Sequence, residues 1–207
     1  MALDVRQSDR DHIQWLNKLN FDWSKKVAVD LGCGSGYLPQ YLVERGAQKV
    51  LGIDLVQPDG LQESQQLCFR SLDLQSADWV QQAEQTLMTQ PHIVLAFDIL
   101  EHLTSPFQLL KDCHALLRPG GKLVLTTPNV NSWERLLRPQ NWSGARDSQH
   151  KILFTKYSLS FLAAKTGFIL EQASAPVRAA GPFARYLPDI GGQLLLTCQK
   201  RSREKTS

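Results

Sequence analysis

Val27-Ala28-Val29-Asp30-Leu31-Gly32-Cys33-Gly34-Ser35-Gly36 is the stretch on which the reading of this chain turns. It begins as an apolar run of the kind that fills a buried parallel strand. An acid, Asp30, then precedes three glycines at alternate positions, Gly32, Gly34 and Gly36. A helical pattern follows at once in Leu38, Tyr41, Leu42 and Arg45, and Gly46 closes it. Strand, glycine turn and helix make half of a nucleotide-binding βαβ unit.

The variants of such a turn are separable. A phosphate loop of the Walker type ends in Gly-Lys-Ser/Thr, whereas Gly36 is followed by Tyr37-Leu38, so no lysine reaches a phosphate. A dinucleotide turn of the form G-x-G-x-x-G/A needs a small third residue for close helix packing. That slot is Tyr37, which blocks the approach a pyrophosphate favours. The spacing is G-x-G-x-G, and a tight βα turn without a ligand is the plain alternative.

Outward from the turn, strands and helices alternate. A helix is expected from Ser8 or Asp9, with Ile13, Leu16 and Leu19 inward and Trp15 near them. Strands are expected at about 26–31, at Lys49–Ile53 ending in Asp54, at Cys68–Leu72 ending in Asp73, and at His92–Phe97 ending in Asp98. The segment 55–66 holds Pro58, Asp59 and Gly60, so any crossover helix there is short. Ser76 is read as the cap of a helix carrying Trp79, Val80, Ala83 and Leu87, which Pro91 closes. Ser105 or Thr104 caps the next helix, with Pro106 at its first position and Phe107, Leu110, Cys113 and Leu117 on one face. Pro119-Gly120-Gly121 turns into the strand Lys122–Thr127. A helix over Thr155–Gly167 and two strands, Phe168–Ser174 and Gln193–Gln199, complete the pattern, the strands being separated by a Gly/Pro/Arg-rich loop at 176–192. Such alternation implies a parallel sheet flanked by helices. Right-handed crossovers bring the strand-ending acids Asp30, Asp54, Asp73 and Asp98 to one edge, where open α/β sheets bind ligands.

The 207 residues fit one domain, with an N-terminal helical segment at 1–24, a polar cap or loop at 128–150 and a disordered tail at 200–207. Cys33, Cys68, Cys113 and Cys198 form no C-x-x-C pair and have no histidine at metal-ligand spacing, so no metal site is expected from them. The charged N-terminus does not read as a signal peptide. No run approaches the roughly 20 apolar residues that span a bilayer, and a cytoplasmic protein is expected. A net charge of +3 without a clustered basic face argues against nucleic acid as partner.

Asp30 through Gly36 resembles the first motif of the class I S-adenosylmethionine-dependent methyltransferases. Gly52-Ile53-Asp54 resembles their second motif, and Arg118-Pro119-Gly120-Gly121-Lys122-Leu123 their L-x-P-G-G turn before strand five. Phe97-Asp98-Ile99-Leu100-Glu101-His102-Leu103 and Thr127-Pro128-Asn129 resemble the subgroup related to ubiquinone-biosynthesis O-methyltransferases and similar small-molecule enzymes. The matches span about residues 30–168. The segment between strands two and three departs from the family in its short helix.

The resemblance implies a Rossmann-like, seven-stranded, mostly parallel sheet with helices on both faces and one antiparallel edge strand. It implies S-adenosyl-L-methionine as cofactor, bound by Asp30, Gly32, Cys33, Gly34, Gly36, Asp54, Leu55, Asp73, Leu74, Phe97 and Ile99. In that reading Asp54 accepts the ribose hydroxyls, Asp73 with the Leu74 amide meets the adenine, Asp30 meets the ammonium, and Phe97 and Ile99 wall the cofactor off. Asp54 and Asp73 also suit solvated turns, Asp73 the more so.

The acceptor is expected to be a small molecule methylated at oxygen. A phenol, hydroxyl or carbon acid needs a base; His102 is the first candidate, with Glu101 beside it to orient it, and His150 the second. The plain alternatives are that Glu101-His102 only starts a helix and that His150 only bridges cap to core. Trp133, Trp142 and Arg146 suit either a substrate wall or a packed lid. A cofactor-binding sensor or complex subunit with little activity is the second functional class, and a nicotinamide-dependent oxidoreductase the third.

Overall fold

The computed structural model describes residues 7–57, 62–177 and 189–202. Its strands are β1 (Val27–Leu31), β2 (Lys49–Asp54), β3 (Leu67–Ser71), β4 (Ile93–Phe97), β5 (Lys122–Pro128), β6 (Phe168–Ser174) and β7 (Gln193–Lys200). Its helices are α1 (Gln7–Lys18), α2 (Tyr37–Glu44), α3 (Trp79–Leu87), α4 (Pro106–Leu116), α5 (Trp133–Leu137), α6 (Ser143–Arg146) and α7 (Lys156–Lys165). The strands hydrogen-bond in the order β3-β2-β1-β4-β5-β7-β6. β1 pairs with β2 and β2 with β3 in parallel, and β7 runs antiparallel to both β5 and β6. The antiparallel strand anticipated at the edge is therefore the next-to-last one, and the outermost pair is antiparallel.

Burial explains which runs became central strands. Every residue of β1 and of β4 is buried, as apolar runs broken only by Asp30 require of strands covered on both faces. β6, at the rim, exposes Ile169 and Leu170. A register shift between Leu170 and Gln172 and the Lys122–Glu171 ion pair at 2.8 Å break up this rim as a pairing template.

By its contacts the chain divides into two compact units. The first runs up to Leu95 and takes in Leu116–Arg118; the second holds Ala96–Ala115 and the residues from Pro119 onward. In the first unit, Val29, Leu31, Leu42, Leu51, Ile53 and Trp79 form a core with no exposed surface. The Tyr41 hydroxyl of α2 donates to Asn17 of α1 at 2.9 Å. In the second unit Leu123, Leu125, Leu159 and Cys198 are equally covered.

Several local expectations shift. Ser76 does not cap α3; Asp78 holds that position, and the Ser76 hydroxyl donates to the Asp73 carbonyl. Phe107 is exposed, because the buried stripe of α4 is Leu109, Leu110, Cys113 and Leu116. The buried face of α1 is His12, Trp15 and Leu16, with Ile13 only half-buried. Glu101-His102 does not begin α4 but lies in a separate 3-10 turn, Leu100–His102. α7 gains a capping box, in which Thr155 Oγ1 accepts from the Ser158 amide and Ser158 Oγ from the Thr155 amide. Among the described residues no helix lies between β2 and β3. The turn at 58–61, most of the 176–192 loop and most of the 200–207 tail fall outside the described residues.

Candidate functional site

The first unit assembles the glycine turn and the acid that ends β2. The Gly32 and Cys33 amides both donate to the Ile53 carbonyl, at 2.8 and 3.0 Å. The Gly34 amide donates to Asp54 Oδ2 at 2.7 Å, and the Leu55 amide to Asp54 Oδ1 at 2.7 Å. Each carboxylate oxygen thus holds one backbone amide and keeps a second lone pair for a ligand. Gly34, at φ 52, sits in the left-handed region that lets its amide face Asp54 without a Cβ in the way. Gly36, also left-handed, precedes α2.

Asp30 is 3% exposed, and burial, reinforced by the Asp54 and Asp9 carboxylates, raises its carboxyl well above the ordinary range. Ser35 donates to Asp9 Oδ2 at 3.4 Å, which brings α1 to the turn. The sequence patterning gave no hint of that role for Asp9. Cys33 is buried, and its thiol is pushed up in consequence.

Asp73 is exposed and shapes its own turn, Oδ1 accepting from the Gln75 amide at 2.9 Å. Leu74 behind it is buried. Leu72 donates to the Asp54 carbonyl at 2.9 Å, which keeps this turn beside the end of β2. Phe97 and Ile99, expected at the cofactor, belong to the second unit, where Phe97 is buried and Ile99 half-buried.

The second unit contains a cavity of about 490 Å³. Asp98, Glu101, Asp147, His102, His150 and Arg146 are among its lining residues. Asp98 follows β4 at φ 52, a conformation uncommon for a side chain with a Cβ. It is held there by its amide, which donates to the Thr126 carbonyl at 3.1 Å, and by Thr126 Oγ1 and Gln193 Nε2 donating to Oδ1. The 3-10 turn that follows points Glu101 inward, 1% exposed, where Oε2 accepts from Thr127 Oγ1 at 2.9 Å. Burial, and next the Asp98 carboxylate, push the Glu101 carboxyl up to about 8.

The segment bearing His150 is fastened to that turn. Lys151 and Ile152 amides donate to the Glu101 carbonyl at 2.7 and 3.2 Å. The rings of His102 and His150 consequently lie 4.8 Å apart between centroids. His150 Nδ1 is 3.2 Å from the Gly144 carbonyl, and its Nε2 is 3.8 Å from Asp147 Oδ2. His102 Nδ1 is buried and has no hydrogen-bond partner among the described residues. Glu101, His102 and His150 each offer one ligand atom, all within 4.8 Å of one another, a grouping that sequence spacing did not reveal. Glu101 turns to Thr127, not to the role of orienting His102 by a hydrogen bond. Arg146 lines the cavity, whereas Trp142 is buried at 4% exposure and Trp133 is half-buried.

No helix among the described residues is long and apolar enough to cross a membrane. The family pattern described as "Methyltransferase domain" matches residues 6–173. The chain is 31% identical over 135 residues to the ubiquinone biosynthesis O-methyltransferase of Pseudomonas paraeruginosa, a match covering 61% of this chain and 57% of that protein. The chain thus spans a little over half the length of the curated relative. An S-adenosylmethionine-dependent methyltransferase from Mesorhizobium loti superposes with a TM-score of 0.69 at 19% identity, over 96% of this chain and all of that one. The Burkholderia thailandensis 1,6-didemethyltoxoflavin-N1-methyltransferase, solved with S-adenosylhomocysteine and 1,6-didemethyltoxoflavin, gives 0.63 at 18% identity over 94% of this chain and 78% of that one. With a family pattern over most of its length and this sheet order, the chain belongs to the methyltransferase domain family, and its fold is that of the class I, S-adenosylmethionine-dependent members.

Proposed function

We propose that this protein transfers the methyl group of S-adenosylmethionine to an oxygen of a small-molecule acceptor. The observation that carries the reading is the clasp of the glycine turn onto Asp54, with Gly34 and Leu55 amides on the two carboxylate oxygens. When bound, the cofactor supplies a methyl carbon already activated by a sulfonium, so the protein's part is alignment and the management of a proton.

Asp54, fixed by those two amides, presents its remaining lone pairs to the ribose hydroxyls. Asp30 balances the ammonium, and the Gly32 and Gly34 backbone approaches the methionine portion. Asp73 and the Leu74 amide receive the adenine edge. The acceptor occupies the second unit's cavity, whose volume lies in the range of small-molecule sites. Loss of the acceptor's proton depends on His102 and His150, the imidazoles that line it. Oxygen is favoured over nitrogen because the curated relative is named for O-methylation and because hydroxyl acceptors need such proton-handling groups.

The test is calorimetry with S-adenosylmethionine, paired with product formation over a panel of phenols, alcohols and amines. Asp54→Ala is expected to weaken cofactor binding at least tenfold, the loss of a charge-assisted hydrogen bond worth about 1.5–3 kcal/mol. His102→Ala is expected to keep cofactor affinity and to lower turnover by about 10²–10⁴-fold. Unchanged affinity in Asp54→Ala, or undiminished turnover in His102→Ala, would remove the corresponding assignment.

A further inference from the structure

We infer that the molecule methylated here is a polyol or amino sugar without an apolar tail, carrying several hydroxyl or ammonium groups beside the hydroxyl that reacts. The inference rests on the reading of the second unit's cavity as the acceptor pocket, and the chemistry of the cavity wall carries it.

That wall is polar where small-molecule pockets are ordinarily apolar. Pro128 is the one apolar side chain among its described lining residues. The large apolar side chains close by in sequence go elsewhere. Trp142 is buried at 4% exposure, Leu136 and Leu137 of α5 are 70% and 73% exposed, and none of the three lines the cavity. An aromatic ring or alkyl tail placed there buries little apolar surface and strips water from polar groups without replacing it.

Those polar groups mostly accept hydrogen bonds. Asp147 Oδ1 accepts from the Gln149 amide at 2.8 Å, while Oδ2 stands 3.8 Å from His150 Nε2, beyond hydrogen-bond length. His150 Nδ1, 3.2 Å from the Gly144 carbonyl, is placed to donate to it, which leaves a lone pair on Nε2. Gln193 commits its Nε2 to Asp98, so its amide oxygen is what it has left to offer the cavity. The Asp98 carboxylate is oriented by two side-chain donors on Oδ1. The buried Nδ1 of His102 has no hydrogen-bond partner among the described residues.

On the donor side the described wall holds Arg146 and Ser148. The carboxylates of Asp98 and Asp147 outnumber that guanidinium, which favours an ammonium on the incoming molecule. Water satisfies these groups while the cavity is open, and a bound molecule has to replace that water group for group. A run of hydroxyls does so, whereas a single phenolic hydroxyl leaves most of the wall unpaired. Sites built from such groups discriminate strongly against analogues that lack the matching partners.

In the reaction one hydroxyl oxygen forms its bond to the methyl carbon as the carbon–sulfur bond breaks. That bond's electron pair stays on sulfur as a neutral thioether, and the hydroxyl proton passes to an imidazole of the wall and then to solvent. The remaining hydroxyls hold the molecule in place through the acceptor groups named above.

The experiment gives the full chain S-adenosylmethionine and two sets of compounds, mannitol, glucose and glucosamine against phenol, heptylphenol and heptanol. The best of the first set is expected to exceed the best of the second by about a hundredfold or more in kcat/KM. Asp147→Leu puts an apolar chain at a position 46% exposed, where folding tolerates it. It is expected to raise KM for the preferred compound by about tenfold or more with cofactor affinity unchanged, and Asp147→Asn, which keeps one oxygen, to recover part of the loss. Equal or better turnover of the second set, or an unmoved KM in Asp147→Leu, overturns the inference and leaves methyl transfer to oxygen standing. Binding to the complex with S-adenosylhomocysteine is followed in parallel by ligand-observed NMR. Binding of the first set alone, with no methyl transfer to any compound, upholds the ligand class and sinks the proposed function. Binding of neither set overturns the inference.

Discussion

Asp30 is a residue whose ionisation works against the fold. Its carboxyl is buried near two other carboxylates, so ionising it is unfavourable in the native state, and its pKa is raised above the unfolded value. Below the ordinary carboxylate pKa, both native and unfolded chains carry the proton. As pH rises beyond that value the unfolded chain releases its proton first, and stability falls until the native group also ionises. Asp30→Asn removes this dependence. The ligand-free variant is expected to melt higher than wild type near neutrality, with the gap closing towards pH 4 or so. It is also expected to bind S-adenosylmethionine more weakly. Parallel melting curves for the two proteins across pH would refute the argument. Asp30 was legible in the sequence as a motif acid, but its burial and its neighbour Asp9 were not, since α1 reaches the turn only through the fold.

At the scale of elements, β2 and β3 are fitted so closely that β2 tolerates no side chain at one position. A Cβ on Gly52 would stand 2.7 Å from the Phe69 ring and 3.0 Å from Cys33 Sγ. Phe69 is 2% exposed, so its ring can yield only by displacing packed neighbours. Gly52→Ala is therefore expected to destabilise the protein by about 1–3 kcal/mol, the usual cost of overpacking, as read from denaturant unfolding. Because the Cys33 sulfur shares the contact, the glycine turn should shift as well and cofactor affinity should fall. The element boundaries themselves were mostly legible. Apolar runs gave β1 and β4, and Ser105-Pro106 gave the start of α4, where the Gln108 amide does reach Ser105 Oγ at 3.3 Å. Periodicity failed where a choice among several apolar residues was needed. Leu109 and Leu110, not Phe107, are covered in α4. Ser76 was drawn into the Asp73 turn because a nearby carbonyl competed for its hydroxyl.

For the whole molecule, ligand binding and stability are linked by mass action. At a hundredfold excess over its dissociation constant, S-adenosylmethionine should add about 2.7 kcal/mol to the unfolding free energy. At the same concentration, a tenfold weaker Asp54→Ala should retain about 1.4 kcal/mol. Urea midpoints measured with and without cofactor give both numbers, and equal shifts in the two proteins would contradict the role of Asp54.

The order of strands and helices, the G-x-G-x-G turn and the acids that end the strands are local in the chain. The sequence therefore announced the fold and the meeting of the glycine turn with Asp54, since backbone turns and apolar periodicity act over a few residues. The cavity of the second unit is not local. Glu101 and His102 are adjacent in sequence, but the 3-10 turn buries the Glu101 carboxyl against Thr127. His150 reaches His102 only because Lys151 and Ile152 bond back to the Glu101 carbonyl. Arg146 and Asp147 come with the His150 segment, and Gln193 joins them from β7. No spacing rule encodes contacts that depend on which carbonyl a distant amide finds, so the cavity, the gathering of Glu101, His102 and His150, and the left-handed Asp98 were decided by tertiary structure alone.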